Sequence, residues 1–210
     1  MRKSGRAITW IAVCAAALAG VGTLAYAKLV RPNLVPKNFG VVEAGRLYRS
    51  GELTPAATRL VVEQDHIRTI VDLGAYDIDP AGERVAERTA AALGVERHVF
   101  RLNGDGTGNP NAYVEALRIL TDPAKQPALV HCSAGSQRTS ACVLLYREIV
   151  EGRPFLADMG EALEHGHDPA KNTRMRPYLE QWHAKIGEAF RAGTLIDGQP
   201  RAEIVSPGRD

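Results

Sequence analysis

The sequence is poor in cysteine: Cys14, Cys132 and Cys142 are the only three in 210 residues. An odd count without paired spacing excludes a small scaffold held together by disulfides, and no Cys–His cluster has the spacing of a zinc site. The sequence therefore predicts no metal site. A cysteine with a function in this chain is expected to act as a free thiol.

The chain also lacks a long run of basic residues, and its formal net charge is only +2. Nucleic-acid-binding domains usually carry a clustered basic face, so we expect no nucleic-acid partner. Charged residues make up 24% and hydrophobic residues 45%, which is typical of globular proteins and not of disordered or polytopic membrane proteins. A chain of this length is expected to form one domain with appendages.

One long hydrophobic run is present, and it lies at the N-terminus. Ala7–Tyr26 contains no charged residue and follows three basic residues, Arg2, Lys3 and Arg6. As a helix this run is long enough to span a bilayer, while its end, Ala25–Ala27, fits a signal-peptidase site. We therefore expect residues 1–30 to be a signal anchor or a cleaved signal peptide. The basic flank predicts a membrane-anchored protein with an exported catalytic domain, or a periplasmic or secreted protein after cleavage.

Composition divides the remainder of the chain into three parts. Residues 31–40 contain two prolines and two asparagines and are predicted to be a linker. Residues 41–193 carry the periodic patterns of helices and strands and are predicted to be the folded domain. Residues 194–210 are rich in Pro, Gly and Asp, which predicts a flexible tail.

Runs of β-branched residues alternate with Ala-rich amphipathic segments along the domain. Ile67–Leu73 and Pro127–Cys132 fit buried strands, and Pro80–Gly94 fits a helix that ends at glycine. The alternation predicts an α/β fold with a mostly parallel central sheet flanked by helices, preceded by an N-terminal apolar helix. Ligands of such sheets bind beyond the carboxyl ends of the strands. The glycine-rich loop Asn103–Pro110 and the loop after Cys132 both lie at that edge.

The segment "HCSAGSQRTS", His131–Ser140, joins a strand to a helix through a sharp turn. Backbone N–H groups of such a turn converge on one point, and the following helix adds the positive end of its dipole. Arg138 adds a planar guanidinium that matches two oxygens of a phosphate. The segment therefore predicts an anion site in which these positive groups lower the pKa of the Cys132 thiol. Cys132 is then expected to be a nucleophile at neutral pH.

Three nearby side chains are candidates for supporting roles. Thr139 offers a hydroxyl that could hydrogen-bond the sulfur and ease its departure in a second step. His131 is expected to orient the loop through its ring nitrogens. Arg49, in "YRSG", either binds the phosphate or anchors its strand to the following turn.

The pattern His131-Cys132-x5-Arg138-Thr139 resembles the signature of the cysteine-dependent protein tyrosine and dual-specificity phosphatases, especially the small bacterial ones. The resemblance implies the protein tyrosine phosphatase-like fold, attack of Cys132 on a phosphomonoester, a phosphocysteine intermediate and its hydrolysis, without a cofactor. Ser140 departs from the family, which commonly has glycine at this position. The substrate phosphate would be bound by Arg138 and by the loop residues Ser133, Ala134, Gly135, Ser136 and Gln137.

The family also requires an aspartate on a mobile loop as its general acid. Asp105, among the glycines of Asn103–Pro110, has the expected place in the chain, and its loop could close over a substrate and open for release. The alternative is an ordinary turn aspartate. Asp72, Asp77 and Asp79 are weaker candidates, because Asp72 lies in an apolar strand and the other two follow in a different loop.

The predicted function is hydrolysis of a phosphorylated protein or a small phosphomonoester. Phosphoinositide and inositol-polyphosphate phosphatases of the superfamily often carry lysines in the loop, and this loop carries none, so a phosphotyrosine-type substrate is preferred. A phosphoinositide or inositol phosphate phosphatase, a phosphate-binding pseudophosphatase and a sulfurtransferase stay open as alternatives. Glu164–Pro169, with two histidines, fits a polar turn at a helix end better than a metal site.

Overall fold

A computed structural model describes residues 20–202 and 204–205. Six strands of this part of the chain form one sheet in the order β1-β2-β5-β3-β4-β6. The strands are β1 (Gly40–Glu43), β2 (Leu47–Ser50), β3 (Thr69–Asp72), β4 (Glu96–Phe100), β5 (Ala128–His131) and β6 (Ile204–Val205).

Helices connect the strands and cover the sheet. Prolines at the first turns and side-chain caps define several starts: Thr54 accepts from Ala57 N, and Asp79 accepts from Gly82 N. The helices are α1 (Arg31–Leu34), α2 (Pro55–Asp65), α3 (Pro80–Ala92), α4 (Pro110–Thr121), α5 (Gln137–Ile149), α6 (Met159–Glu164) and α7 (Met175–Ala192).

The sheet is mixed, which corrects the expectation of a mostly parallel one. Its centre, β2-β5-β3-β4, is parallel, whereas β1 pairs antiparallel with β2 and β6 pairs antiparallel with β4. The β1–β2 connection is a short turn containing Gly45 with φ +73°, and a short turn can only join antiparallel strands. The α/β class itself is confirmed.

Alternate residues of the central strands face two separate cores, as the two-residue period of a strand requires. On one face, Val71 and Val130 pack against α4, α5 and α7. On the other face, Ile70 and Leu129 pack with Val61 of α2. Both faces of the parallel strands are covered, so their carboxyl ends are the part of the sheet that is open to a ligand.

The N-terminal segment falls mostly outside the described residues. Residues 20–30 are helical, with a π-helical stretch at Tyr26–Val30, and α1 continues them. Among the described residues, no helix has the length and apolar character needed to cross a membrane. The N-terminal apolar helix of the expected fold is not supported. The anchor or signal segment, and the export that it implies, stay predictions.

Residues on both sides of the predicted domain pack against it. In the predicted linker, Lys37 O accepts a hydrogen bond from Gly51 N at 2.7 Å, and Pro32 O accepts one from the Thr54 hydroxyl at 3.3 Å. In the predicted tail, Ala202 is buried and β6 extends the sheet edge. The Pro and Gly content of these segments gives no sign of these contacts, which depend on partners far away in the chain.

Candidate active site

The loop predicted to bind an anion lies at the carboxyl end of β5, in the centre of the sheet. The parallel register places Ser50 and Asp72 opposite His131, so three strands end at one level beside the loop. Cys132 follows directly, and α5 begins at Gln137. The strand–loop–helix arrangement expected from the sequence is therefore present at the expected edge.

Cys132 is buried at the base of the loop, with 2% of its surface exposed. Its Sγ accepts a hydrogen bond from the backbone N–H of Gly135, 3.3 Å away. The donor belongs to the same loop, so the loop curls around the sulfur. Cys142, on α5, is enclosed by the core, and burial raises the pKa of its thiol to about 12. Of these two buried thiols, that of Cys132 is the one that accepts a hydrogen bond from a loop amide.

Glycine is required at the point where the loop meets β2. Gly135 has φ +76°, a left-handed conformation that other residues adopt only at a cost. A Cβ atom there would lie 2.8 Å from Ser50 O, so a larger residue would push the loop off the strand.

Arg138 is held by the loop that follows β3. Its Nη1 donates to Leu73 O at 3.0 Å, to Gly74 O, and to the Asp77 carboxylate at 3.2 Å. Its Nε is buried, and no described residue is its hydrogen-bond partner. An unpaired buried N–H is costly, so this donor is a candidate to bind an anion.

Asp77, predicted as a weak candidate for the general acid, is the carboxylate partner of Arg138. It also accepts from Arg101 Nη1 at 3.1 Å. Burial raises the pKa of Asp77, and the charges of the two arginines act in the opposite direction. The sequence could not identify this pair, because the two residues are 61 positions apart.

Arg49 is fully buried below the loop. Its Nη2 donates to Gly135 O at 3.0 Å and to the Ser140 hydroxyl at 2.8 Å, and its Nη1 pairs with Glu161 at 3.3 Å. These contacts favour the anchoring alternative over direct phosphate binding. They also give a role to Ser140, the departure from the family pattern, since glycine would offer no hydroxyl.

Thr139 lies at the start of α5, next to Arg138. Its hydroxyl is 3.5 Å from Ser50 O, a long contact, and it is fully buried. The predicted hydrogen bond from this hydroxyl to the sulfur stays a prediction.

His131 belongs to a largely buried cluster of titratable side chains behind the loop. Asp72 Oδ2 lies 3.6 Å from His131 Nε2 and 2.5 Å from Arg97 Nη2, and Arg97 also pairs with Glu83 at 2.8 Å. Burial lowers the pKa of His131, which keeps its imidazole neutral at neutral pH. Asp72 is therefore paired inside the sheet and Asp79 caps α3, so neither faces the loop as a free acid.

Asp105 lies in a compact turn beside the loop. Its Oδ1 accepts from Thr107 N at 3.1 Å and from the Thr107 hydroxyl at 2.7 Å. Burial opposes its charge, but the Thr107 hydrogen bonds and the positive charge of Arg174 lower the pKa of Asp105 overall. Asp105 and Gln137 line the same open cleft, about 460 Å³ in volume.

The exposed side of the loop of residues 132–138, named the phosphate loop below, contacts two other segments. Ser133 donates to the Glu52 carboxylate at 3.2 Å. Ala134 O accepts from Asn38 Nδ2 at 3.3 Å. The sequence contained no signal for these partners, because each is distant in the chain.

Comparison with known proteins agrees with this geometry. The family described as "DSP-PTPase phosphatase fused to NAD+ Kinase" matches residues 36–176. The chain belongs to this family. The resemblance to cysteine-dependent dual-specificity-like phosphatases is confirmed, and the family is described as a phosphatase, which agrees with the predicted enzyme class of phosphoric monoester hydrolase.

Two curated proteins are similar to this DSP-PTPase chain. Tyrosine-protein phosphatase-like protein OCA2 of Saccharomyces cerevisiae is 28% identical over 123 residues, which cover 56% of this chain and 59% of OCA2. Inositol diphosphatase DSP1 of Oryza sativa subsp. japonica is 29% identical over 121 residues, which cover 54% of this chain and 50% of DSP1. The chain thus spans 59% of the length of OCA2 and only half the length of DSP1.

Solved structures share the DSP-PTPase fold. The catalytic domain of the PP-IP phosphatase Siw14 of S. cerevisiae has a TM-score of 0.57 at 20% identity, covering 76% of this chain and 96% of its own. TpbA of P. aeruginosa has a TM-score of 0.60 at 20% identity, covering 74% and 91%. At this level of identity the likeness concerns the fold alone.

Proposed function

We propose that the protein is a phosphotyrosine-type or dual-specificity phosphatase with Cys132 as its nucleophile. The observation that carries the proposal is the loop in which Gly135 N–H donates to the Cys132 sulfur and Arg138 closes the far end. Amide N–H groups and a guanidinium are the groups that stabilise a transferring phosphoryl group.

In the first step, the Cys132 thiolate attacks phosphorus, and the bond from phosphorus to the leaving oxygen breaks. Loop amides and Arg138 bind the non-bridging oxygens. Since the hydrogen bonds that hold Arg138 in place use Nη1, its Nε and Nη2 edge is left for two of those oxygens. Asp105 protonates the leaving oxygen.

In the second step, water attacks the phosphocysteine. Asp105, now ionised, accepts a proton from that water. The sulfur leaves as a thiolate, which Gly135 N–H stabilises through the hydrogen bond already present and Thr139 assists. Inorganic phosphate is then released.

The surroundings of the loop favour a substrate with one phosphate and an apolar group. The loop side chains are neutral, and Glu52 adds a carboxylate next to Ser133. A groove of about 410 Å³ continues from Glu52, with mainly apolar walls that include Leu53, Tyr76 and Val85. Among the fold neighbours, TpbA has been crystallised in complex with phosphotyrosine. An aromatic phosphate ester matches this combination of neutral loop and apolar groove.

A second candidate, an inositol phosphate or inositol pyrophosphate phosphatase, is favoured by a different observation. Lys171 and Arg174 line the cleft with Asp105, and their side chains are 87% and 78% exposed. Cations at that place suit a substrate with additional phosphates. DSP1 is an inositol diphosphatase, and Siw14 is a PP-IP phosphatase.

Two assays test the proposal. Hydrolysis of p-nitrophenyl phosphate by the purified protein should be abolished in Cys132→Ser, and activity retained in that variant would refute the mechanism. A phosphotyrosine peptide should then be hydrolysed with a higher kcat/KM than an inositol pyrophosphate. The reverse order, together with a loss of inositol pyrophosphate activity in Lys171→Ala, would establish the second candidate.

A further inference from the structure

Two side chains hold the loop that carries Asp105 by hydrogen bonds to consecutive backbone carbonyls. Asn172, just before α7, donates from Nδ2 to Asp105 O at 2.9 Å. Tyr113, on α4, donates from its hydroxyl to Gly106 O at 2.7 Å. The aspartate and the residue after it are therefore each held through the main chain, and neither of these two contacts uses the Asp105 carboxylate.

Both donors are fixed in direction. Asn172 Oδ1 accepts from Arg174 N and Met175 N, each at 3.2 Å, and so caps the N-terminus of α7. With its oxygen committed to the helix, the amide must present its NH2 group to Asp105. Tyr113 is fully buried against Tyr178 of α7, with ring centroids 6.0 Å apart, so its hydroxyl cannot turn away.

The same chain segment that carries Asn172 also holds the phosphate loop. His165 O accepts from the Ser136 hydroxyl at 2.9 Å. His167, which is buried, contacts Gln137 Oε1 through Nδ1 at 2.6 Å. Residues 165–174 therefore connect the phosphate loop to the Asp105 loop, and they fix the distance between the two.

The Asp105 loop also rests directly on the phosphate loop. A Cβ atom at Gly106 would lie 3.3 Å from Gln137 O and 3.1 Å from Met175 Cγ. Within the loop, Asn103 N donates to Thr107 O and Gly106 N donates to Asn103 O. These contacts describe a compact turn, and they favour a held loop over the mobile one expected from its glycine content.

We propose that Asn172 and Tyr113 are positioning residues that hold Asp105 in place over the phosphate loop before substrate arrives. The proposal rests on the function proposed above, in which Asp105 is the general acid. A fixed acid avoids the entropy cost of ordering a loop in every catalytic cycle. Specificity for leaving groups that need protonation then depends on two residues that touch neither phosphate nor Cys132.

Leaving-group dependence tests this proposal. A misplaced acid slows substrates whose leaving oxygen is strongly basic, such as phenyl phosphate, and has little effect on 2,4-dinitrophenyl phosphate, whose leaving group departs without a proton. Tyr113→Phe removes one hydroxyl, and Asn172→Asp keeps the capping oxygen but loses the NH2 donor. Each should lower kcat/KM for phenyl phosphate by about tenfold to a hundredfold, while kcat/KM for the dinitrophenyl ester changes by less than about threefold. The comparison uses kcat/KM because it covers the steps up to departure of the leaving group and excludes the hydrolysis of phosphocysteine that both esters share.

Matched controls separate this role from general destabilisation. Tyr178→Phe removes a buried hydroxyl that has no hydrogen-bond partner in the described part of the chain, on the ring next to Tyr113. Thr173→Ala changes the exposed neighbour of Asn172. Both control variants should keep the parental ratio of phenyl phosphate hydrolysis to 2,4-dinitrophenyl phosphate hydrolysis. Asn172→Ala, which introduces no charge, should show the same defect as Asn172→Asp, with thermal unfolding measured for every variant.

The outcomes distinguish this proposal from the proposed function. If Asp105→Asn keeps full activity on phenyl phosphate, the acid is misassigned and both fail. If Asp105→Asn is slow but Tyr113→Phe and Asn172→Asp keep the parental ratio, only the positioning role is refuted. Equal losses on both esters would also refute it, because they indicate general damage. Adding either substitution to Asp105→Asn should cause no further loss, since both changes act on the same proton transfer.

Discussion

A Cβ atom on Gly135 would lie 2.6 Å from the backbone nitrogen of Gly51. At this point the backbone of the phosphate loop lies directly against the backbone at the end of β2. Since the obstacle is backbone on both sides, a side-chain rotation cannot relieve it. The position of the loop relative to the sheet is therefore set by two glycines.

Gly135→Ala should displace the loop and inactivate the enzyme. We expect the free energy of unfolding to fall by about 2–4 kcal/mol, from the left-handed backbone together with the steric overlap. A loop shift of this kind should reduce kcat/KM by about a hundredfold or more. Urea unfolding and p-nitrophenyl phosphate hydrolysis measure the two effects.

Gly94→Ala is the matched control for this substitution. Gly94 has φ +67°, and no atom lies within 4 Å of the Cβ that alanine would add. It should lose about 1 kcal/mol of stability and keep parental activity. If Gly135→Ala and Gly94→Ala lost similar amounts of stability and activity, the left-handed backbone alone, and not the contact with β2, would explain the effect at Gly135.

Asp77→Asn should weaken oxyanion binding without changing the role of the general acid. Arg138 keeps its bonds to Leu73 O and Gly74 O, and the ion pair is partly open to solvent, so we expect only about a twofold to fivefold rise in Ki for vanadate. The ratio of phenyl to dinitrophenyl phosphate hydrolysis should stay parental. A selective loss on phenyl phosphate would instead identify Asp77 as the acid.

Arg49→Met should lower stability more than it affects substrate binding. The change leaves Gly135 O and Ser140 without their buried donor and removes a partner of Glu161, at a cost of about 2–4 kcal/mol. Chemical denaturation measures this loss, with Arg49→Lys as the variant that keeps the charge. A large rise in KM at unchanged stability would favour the alternative in which Arg49 binds phosphate.

Stability should depend on pH through His131. Burial lowers the pKa of its folded-state imidazole below 6.5, so at pH below about 6.5 the unfolded chain binds a proton that the folded chain does not. The free energy of unfolding should therefore rise with pH up to about 6.5 and then level off. Denaturation of His131→Gln at several pH values should show a smaller slope. An unchanged slope would mean that other groups control the transition.

The sequence predicts the local parts of this molecule well. Val71 and Val130 belong to short apolar runs that fit buried strands, and the short connection between β5 and α5 keeps Cys132 close to Arg138. The loop forms from residues that are neighbours in the chain. Its prediction therefore needed no knowledge of the rest of the fold.

The contacts between distant residues could not be predicted from pattern alone. Asn172 and Asp105 are 67 positions apart, and Arg49 and Gly135 are 86 apart. The sequence separation of neither pair indicates a contact, because the two residues are brought together only when the helices pack. The edge strand β6 was missed for the same reason, since its two residues form a strand only when β4 supplies the partner.

Arg138 is oriented by the protein itself, because its Nη1 donates hydrogen bonds to the loop after β3. Phosphate therefore does not have to restrict a long flexible side chain, whose rotamer entropy is worth about 2 kcal/mol. That entropy was lost during folding. Oxyanion capture should accordingly behave as a rigid-body event, with an association rate that depends on ionic strength and charge and only weakly on internal rearrangement.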